Sequence, residues 1–107
     1  MFKPERAPDE ILTALNLIDV ADALPDTLSG GMQKRVSVAR TLSKKADIYL
    51  FDEPSAGQDP KHAVIIADTI KQYPCGSICI IATHNPEYFK SFATRTMTVH
   101  SGKITQV

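Results

Sequence analysis

Residues 28–35 read Leu-Ser-Gly-Gly-Met-Gln-Lys-Arg, and residues 48–54 read Ile-Tyr-Leu-Phe-Asp-Glu-Pro. In the first stretch Ser29 is a typical helix N-cap, and the diglycine after it leaves backbone N–H groups bare at the positive end of the helix dipole. In the second stretch four apolar residues form a strand that ends in two carboxylates. A further helix and strand follow these two elements, and this helix–strand–helix–strand order predicts an α/β fold with parallel strands covered by helices.

The remaining elements follow from hydrophobic periodicity and from helix start and stop residues. We expect helices over 8–18, 31–44 and 60–73, a short turn at 20–24, and a short helix from 85 to about 92. We also expect strands over 48–51 and 77–82 and a C-terminal β-hairpin of 96–100 and 104–107. The two strands 48–51 and 77–82 are continuously apolar, so we expect both of their faces to be covered.

Helical spacing also predicts which positions of the three helices face the core. These are Ile11, Leu15 and Ile18 in the first helix, Met32, Val36, Ala39 and Leu42 with Ser43 in the second, and Ala63, Ile66, Ala67 and Ile70 in the third. The basic residues of the second helix and its end are expected on a solvated face: Lys34, Arg35, Arg40, Lys44 and Lys45.

Composition narrows the possible functions. A chain of 107 residues forms one small domain, and a formal net charge of zero argues against a general nucleic-acid or membrane-surface binder. Cys75 and Cys79 have no further cysteine with which to build a thiolate metal site, and Cys79 lies in an apolar run as a small buried hydrophobe. The two cysteines thus favour a reducing compartment, so we expect a cytoplasmic protein. The neutral net charge leads us to expect no nucleic-acid partner.

Polar side chains follow both predicted strands. Asp52 and Glu53 end the first strand, where one carboxylate can hold Mg²⁺ and its neighbour can polarise an attacking water. His84 follows the second strand and can donate a hydrogen bond to a terminal phosphate. The bare backbone at Gly30 and Gly31 can approach a phosphate as well. Each feature alone also fits a structural role, as an N-cap, a solvent-exposed strand end or a surface histidine, but their order along the chain favours a nucleotide site.

In this order the motifs resemble the ATP-binding cassette (ABC) ATPase family. Residues 28–33 resemble its signature motif, usually Leu-Ser-Gly-Gly-Gln, with Met32 in place of the glutamine. Residues 48–53 resemble the Walker B strand, 55–59 the D-loop, and 82–84 the switch-histidine region. The resemblance covers about residues 8–107 and implies a partial P-loop NTPase fold. Residues 8–45 would belong to the helical subdomain and 46–107 to the catalytic α/β core.

The resemblance implies a role for each motif residue. Two ATPase domains of this family pack head to tail, and the signature of one contacts the ATP held by the other. The signature residues would therefore bind ATP in trans: Leu28, Ser29, Gly30, Gly31, Met32 and Gln33. Asp52 would serve Mg²⁺, Glu53 would be the general base, His84 would contact the γ-phosphate, and Asp59 would couple the two sites. Transmembrane permease subunits would hold the domain at the cytoplasmic face of a membrane.

One part of the family pattern is absent from the sequence. No stretch reads Gly-x-x-x-x-Gly-Lys-Ser/Thr, the Walker A loop that wraps nucleotide phosphates. A complete family domain is about twice this length, so we interpret the chain as a gene fragment, a truncated frame or one piece of a split domain. We expect an unpaired edge on strand 77–82, weak or no ATP binding by the isolated chain, and no hydrolysis by it alone.

Three hypotheses for function stay open. The first is an ATP-binding subunit of an ABC transporter that couples ATP hydrolysis to transport, and Gly57-Gln58-Asp59-Pro60 leans toward the lipid-trafficking type. The second is a soluble ABC ATPase of translation or DNA repair. The third is a non-catalytic module that lends its signature to a partner's ATP. The sequence does not encode the transported substrate or the direction of transport.

Overall fold

The computed structural model describes residues 8–23, 25–74 and 76–107. Its helices are α1 (Pro8–Ala14), α2 (Gly30–Leu42) and α3 (Pro60–Gln72), and its strands are β1 (Ile48–Asp52), β2 (Ile78–Ala82), β3 (Met97–His100) and β4 (Lys103–Gln106). Single 3₁₀ turns lie at Ile18–Val20, Pro25–Thr27 and Pro86–Tyr88. The predicted α/β fold with parallel strands and a terminal hairpin is confirmed. Leu24 and Cys75 lie outside the described residues.

Helix α1 ends earlier than its hydrophobic spacing predicts. Asn16 takes a left-handed backbone with φ of 60°. The Asn16 N–H donates to the Thr13 carbonyl at 3.1 Å, and the Leu17 N–H donates to the Leu12 carbonyl at 2.7 Å. This pair of bonds is a Schellman cap, which turns the chain out of the helix. Leu17 is consequently buried, and Ile18, predicted to face the core, is 41% exposed.

Helix α2 begins as predicted but faces the core with a different stripe. Ser29 caps it, with a side-chain oxygen that accepts a hydrogen bond from the Met32 N–H at 3.1 Å. Its buried residues are Arg35, Val38, Ala39 and Leu42. The predicted positions Met32 and Val36 are half-buried at the margin of the core. The prediction that Arg35 is solvated is wrong, because it shares the face of Ala39 and Leu42.

Helix α3 agrees with its prediction. Asp59 is the N-cap, Pro60 occupies the first turn, and the helix ends one residue before Tyr73. All the predicted inward positions are buried: Ala63, Ile66, Ala67 and Ile70. A proline fits the first turn because the N–H that it lacks has no intrahelical acceptor there.

Strands β1 and β2 pair in parallel, with Ile48 opposite Ile78 and Asp52 opposite Ala82. The helices cover one face of this pair, where Tyr49 and Phe51 are buried. On the other face the aliphatic side chains are more than half exposed: Ile48, Leu50, Ile78 and Ile80. The prediction that both faces are covered is therefore wrong for the described residues, and Cys79 is half-buried instead of buried.

Strands β3 and β4 form the predicted hairpin, and the backbone of Ser101 and Gly102 explains why the chain reverses there. Ser101 and Gly102 both have positive φ, at 50° and 77°. Two such residues make the tight turn whose twist matches that of antiparallel strands. Every residue of β3 and β4 is exposed. Among the residues that the structure describes, no helix has the length and apolar character needed to cross a membrane.

Candidate functional site

Parallel pairing of β1 and β2 brings two polar strand ends together. The Glu53 N–H donates to the Ala82 carbonyl at 2.7 Å, which extends the ladder one step past the end of β1. Asp52 and Glu53 therefore lie beside Thr83 and His84. The carboxyl edge of a parallel sheet is where α/β folds place their ligands.

Glu53 is the centre of this strand-end cluster. Its backbone is left-handed, with φ of 48°, a conformation that is uncommon for a residue with a Cβ and frequent at functional sites. One carboxylate oxygen, Oε1, accepts a hydrogen bond from the His84 N–H at 2.8 Å and lies 3.5 Å from the His84 Nε2. The other, Oε2, accepts a hydrogen bond from the Thr83 hydroxyl at 3.3 Å.

The two members of this pair differ in their access to solvent. The Glu53 side chain is 27% exposed, whereas the His84 side chain is 97% exposed. Thr83, for which no role was predicted, holds the cluster together, because its hydroxyl donates to Glu53 and accepts from the Asn85 N–H at 2.9 Å. The cluster thus presents a fixed carboxylate beside a freely accessible imidazole.

Asp52 occupies a different environment from Glu53. It is exposed, and its carboxylate makes no hydrogen bond or ion pair with the residues in the described ranges. Its backbone carbonyl accepts a hydrogen bond from the Lys34 ammonium at 3.2 Å. The Asp52 carboxylate is therefore open to a ligand, and Lys34 links the end of β1 to helix α2.

The second part of the candidate site is the start of α2, residues 28–33. The Ser29 hydroxyl accepts from Met32, and the Gln33 N–H donates to the Ser29 carbonyl at 2.9 Å. The Gln33 side chain donates to the Leu28 carbonyl at 3.4 Å. Gly30 is exposed, and a Cβ added there would meet nothing within 4 Å. Packing within the described residues thus does not require glycine at position 30, which leaves this backbone free to approach a ligand.

A buried arginine connects this helix start to the loop 53–59. The Arg35 side chain is 5% exposed, and its guanidinium donates to Gln58 Oε1 at 2.8 Å. Gln58 Nε2 in turn donates to the Gly31 carbonyl at 3.0 Å. Burial lowers the pKa of Arg35, and the negative charge of Asp59 partly offsets that effect. Arg35 lies four residues before Ala39 and seven before Leu42, and this helical spacing could have predicted its burial.

Asp59 caps α3 and binds His62, for which no role was predicted. The Asp59 Oδ1 accepts from the His62 N–H at 2.8 Å, and the two carboxylate oxygens lie 2.9 and 3.0 Å from the His62 Nδ1. These hydrogen bonds lower the pKa of Asp59. The His62 Nε2 also lies 3.3 Å from the Asn16 side-chain amide. The loop 53–59 is therefore fastened to α3 at the predicted D-loop aspartate.

Comparison with known proteins identifies the family. A family model described as ABC transporter matches residues 3–56, which include the predicted signature and Walker B strand. The chain belongs to this family. The comparisons thereby confirm the resemblance that the motif order predicted.

Curated relatives extend over most of the chain. It is 38% identical over 99 residues to the arginine transport ATP-binding protein ArtP of Haemophilus influenzae, covering 92% of this chain and 41% of the relative. It is 36% identical to the glutamine transport ATP-binding protein GlnQ of Bacillus subtilis, covering 94% and 43%. It is 38% identical to a phosphonates import ATP-binding protein PhnC of Bacillus cereus, covering 87% and 37%. The chain therefore spans about two fifths of the length of these relatives.

Solved structures confirm the fold. The chain superposes on a structure titled RNase-L Inhibitor with a TM-score of 0.77 and 33% sequence identity, over 88% of this chain and 19% of the other. An archaeal ribosome recycling factor, solved in complex with a ribosomal stalk protein, gives the same values.

Proposed function

We propose that this chain supplies the hydrolytic and signature portions of an ABC ATPase domain that couples ATP hydrolysis to transport through separate membrane permease subunits. The observation that carries the proposal is the Glu53 carboxylate, fixed in a left-handed backbone beside His84 at the carboxyl edge of a parallel sheet. Names of the relatives, which are ATP-binding proteins of transport systems, support the transport role.

Glu53 is the proposed general base. Its two hydrogen bonds from His84 and Thr83 fix the direction of the carboxylate, and its remaining lone pairs are free to accept a proton from an attacking water. His84 is exposed enough to donate a hydrogen bond to the γ-phosphate of ATP as negative charge accumulates there. Proximity of the two side chains would place the attacking water next to the phosphate.

Asp52 fits a role in Mg²⁺ binding. Mg²⁺ at nucleotide sites is held by one or two carboxylates together with substrate phosphates, and it neutralises charge on those phosphates. The Asp52 carboxylate is exposed at the strand end and makes no hydrogen bond or ion pair with other described residues. It is therefore available as the oxygen ligand that such a site requires. Glu53 is already hydrogen-bonded and stays available for water.

The start of α2 is the proposed contact for a second ATP, held by the partner domain of a head-to-tail dimer. Since the Ser29 hydroxyl accepts from Met32, its own proton is free to donate to a phosphate oxygen. Bare N–H groups at Gly30 and Gly31 and the helix dipole favour the same negative charge. A contact made by the backbone tolerates Met32 where glutamine is usual. The hydrogen bond from the Gln33 side chain to the Leu28 carbonyl would hold the backbone at the start of α2 in place. Asp59 would lie at the interface with the partner domain.

The test of this proposal is Glu53→Gln in the native protein with its partner subunits. The amide keeps the size of the side chain but is too weak a base to accept a proton from water. We expect steady-state ATP hydrolysis to fall by about 10²- to 10⁴-fold, the usual contribution of a general base. Glu87→Gln, at an exposed glutamate of the 3₁₀ turn Pro86–Tyr88, is the matched control and should keep wild-type activity. Undiminished hydrolysis by Glu53→Gln would refute the assignment and favour a non-catalytic module.

Solved structures favour a second candidate, a soluble ABC ATPase acting in translation, because one of the superposed proteins is titled a ribosome recycling factor. The two candidates differ in what stimulates ATP hydrolysis. Permease subunits in lipid vesicles should raise the hydrolysis rate of a transporter ATPase, whereas ribosomes should raise that of a translation factor. The relatives named here concern arginine, glutamine and phosphonates, and they lend no support to the lipid-trafficking expectation.

A further inference from the structure

We infer that Gln58 is a positioning residue that ties the first turn of α2 to the loop 53–59. The inference rests on the proposed function, because it concerns the two parts of the proposed ATP site. Gln58 is half-buried between them. Its Oε1 accepts from the Arg35 guanidinium at 2.8 Å, and its Nε2 donates to the Gly31 carbonyl at 3.0 Å.

The chemistry of the bridge requires an amide. Arg35 has only donors to offer and the Gly31 carbonyl is only an acceptor, so one residue between them needs both an acceptor and a donor. The same argument fixes the orientation of the Gln58 amide, because the flipped amide would oppose donor to donor and acceptor to acceptor. Glutamate keeps the acceptor alone, and leucine keeps neither.

The loop that carries Gln58 is anchored at both of its ends. At one end the Glu53 N–H donates to Ala82, and the Glu53 carbonyl accepts from the Ala56 N–H at 3.1 Å. At the other end Asp59 caps α3. The Gln58 N–H donates to the Ser55 carbonyl at 3.3 Å, and Gly57 beside it has φ of 74°. Because these hydrogen bonds hold the loop along its length, we expect a displacement of Glu53 to reach Gln58.

The bridge therefore couples two sites that the proposed function assigns to different ATP molecules. A shift at Glu53 and His84 reaches the Gly31 carbonyl through the loop and Gln58. The buried guanidinium of Arg35 gives this bridge a fixed support. Gln58 touches neither nucleotide in this scheme, and its effect is exerted through the backbone at the start of α2.

The test compares Gln58→Glu and Gln58→Leu with the wild-type protein by amide hydrogen exchange, without nucleotide. The reporters are the Met32 and Gln33 amides, whose hydrogen bonds at 3.1 and 2.9 Å close the first turn. Losing a hydrogen bond to that turn should speed their exchange by about three- to tenfold in both variants. Exchange in α3 and in β1 should stay unchanged. Gln72→Leu, at an exposed position of α3, is the control and should alter neither reporter.

Two results of the exchange experiment would overturn the inference. One is unchanged exchange at Met32 and Gln33, and the other is faster exchange throughout α3 and β1, which would make Gln58 a general stabiliser. ATP kinetics of the native protein form the second readout: KM for ATP should rise about three- to tenfold in Gln58→Glu, with kcat changed less. A kcat loss at unchanged KM would also contradict it. Because exchange is measured without ATP, a wild-type protein that fails to hydrolyse ATP counts against the proposed function and leaves the bridge standing.

Discussion

Glu53 shows most clearly how single residues determine this site. Its left-handed backbone, with φ of 48°, costs on the order of 1–3 kcal/mol relative to a glycine-like position. Two hydrogen bonds to its carboxylate and one from its N–H hold it there. The sequence predicts that an acid stands at the strand end, but nothing in it signals this backbone angle, which depends on contacts with Thr83 and His84.

Ser29 carries a prediction about stability that does not depend on ATP. Ser29→Ala removes the acceptor for the Met32 N–H, so we expect the free energy of unfolding to fall by about 1 kcal/mol. Urea denaturation of the chain measures this change. Ser29→Asp should retain most of the stability, since aspartate caps equally well. Ser37→Ala, at an exposed position inside α2, is the control. Equal stability of Ser29→Ala and wild type would contradict the capping role.

Asp59 carries a prediction about pH. Because the hydrogen bonds from His62 lower its pKa below the ordinary value of 3.8, the Asp59 carboxylate stabilises the fold in its charged form. That contribution is fully present above the unfolded-state pKa and is lost as pH falls through the lower, folded-state pKa. The stability advantage of wild type over Asp59→Asn should therefore be constant above about pH 5 and shrink below about pH 4. Urea titrations at several pH values test it, and an advantage that grows toward acid would contradict it.

Among the elements, helix α2 shows both what the sequence predicts and what it hides. Its start was predictable because a serine before two glycines is a strong capping signal. Its buried face was predicted from apolar residues alone, so Arg35 was assigned to the solvated face, although its spacing to Ala39 and Leu42 places it on the buried face. The end of α1 depended similarly on Asn16, since asparagine often takes the left-handed position that terminates a helix.

For β1 and β2, the sequence predicts the strands themselves but not the segments that cover them. Continuous apolar runs predict strands that are covered on both faces, but the pattern does not say which segments cover them. In the described residues the helices cover one face only. Successive side chains of β1 point to opposite faces, so Phe51 is 6% exposed and its neighbour Leu50 is 68% exposed. The register that brings Asp52 opposite Ala82 follows from this pairing and was not predictable in detail.

Two neighbouring residues of β1 should differ in how much they contribute to stability. Phe51→Ala empties a buried position and should lower the free energy of unfolding by about 3–5 kcal/mol. Leu50→Ala, on the exposed face of the same strand, should cost less than about 1 kcal/mol. Urea denaturation of the 107-residue chain separates the two. A loss at Leu50 as large as that at Phe51 would show that this face is covered in solution.

At the scale of the whole molecule, the chain brings together the two parts of the proposed ATP site. The strand-end cluster of Asp52, Glu53 and His84 lies at the edge of the sheet, and the start of α2 is linked to it through Lys34 and Gln58. No Walker A loop occurs in the 107 residues. The central claim is the proposal that these residues activate water and contact a partner's nucleotide, and that they do not hold ATP tightly without a Walker A loop.

Calorimetric titration of the folded 107-residue chain with Mg-ATP tests this claim most directly. Circular dichroism of the same sample establishes that the chain is folded before the titration begins. We predict no binding in the micromolar range, because the described donors would contact phosphates without wrapping them as a Walker A loop does. Saturable binding with micromolar affinity would contradict the account, since it would show that these residues hold ATP without a Walker A loop.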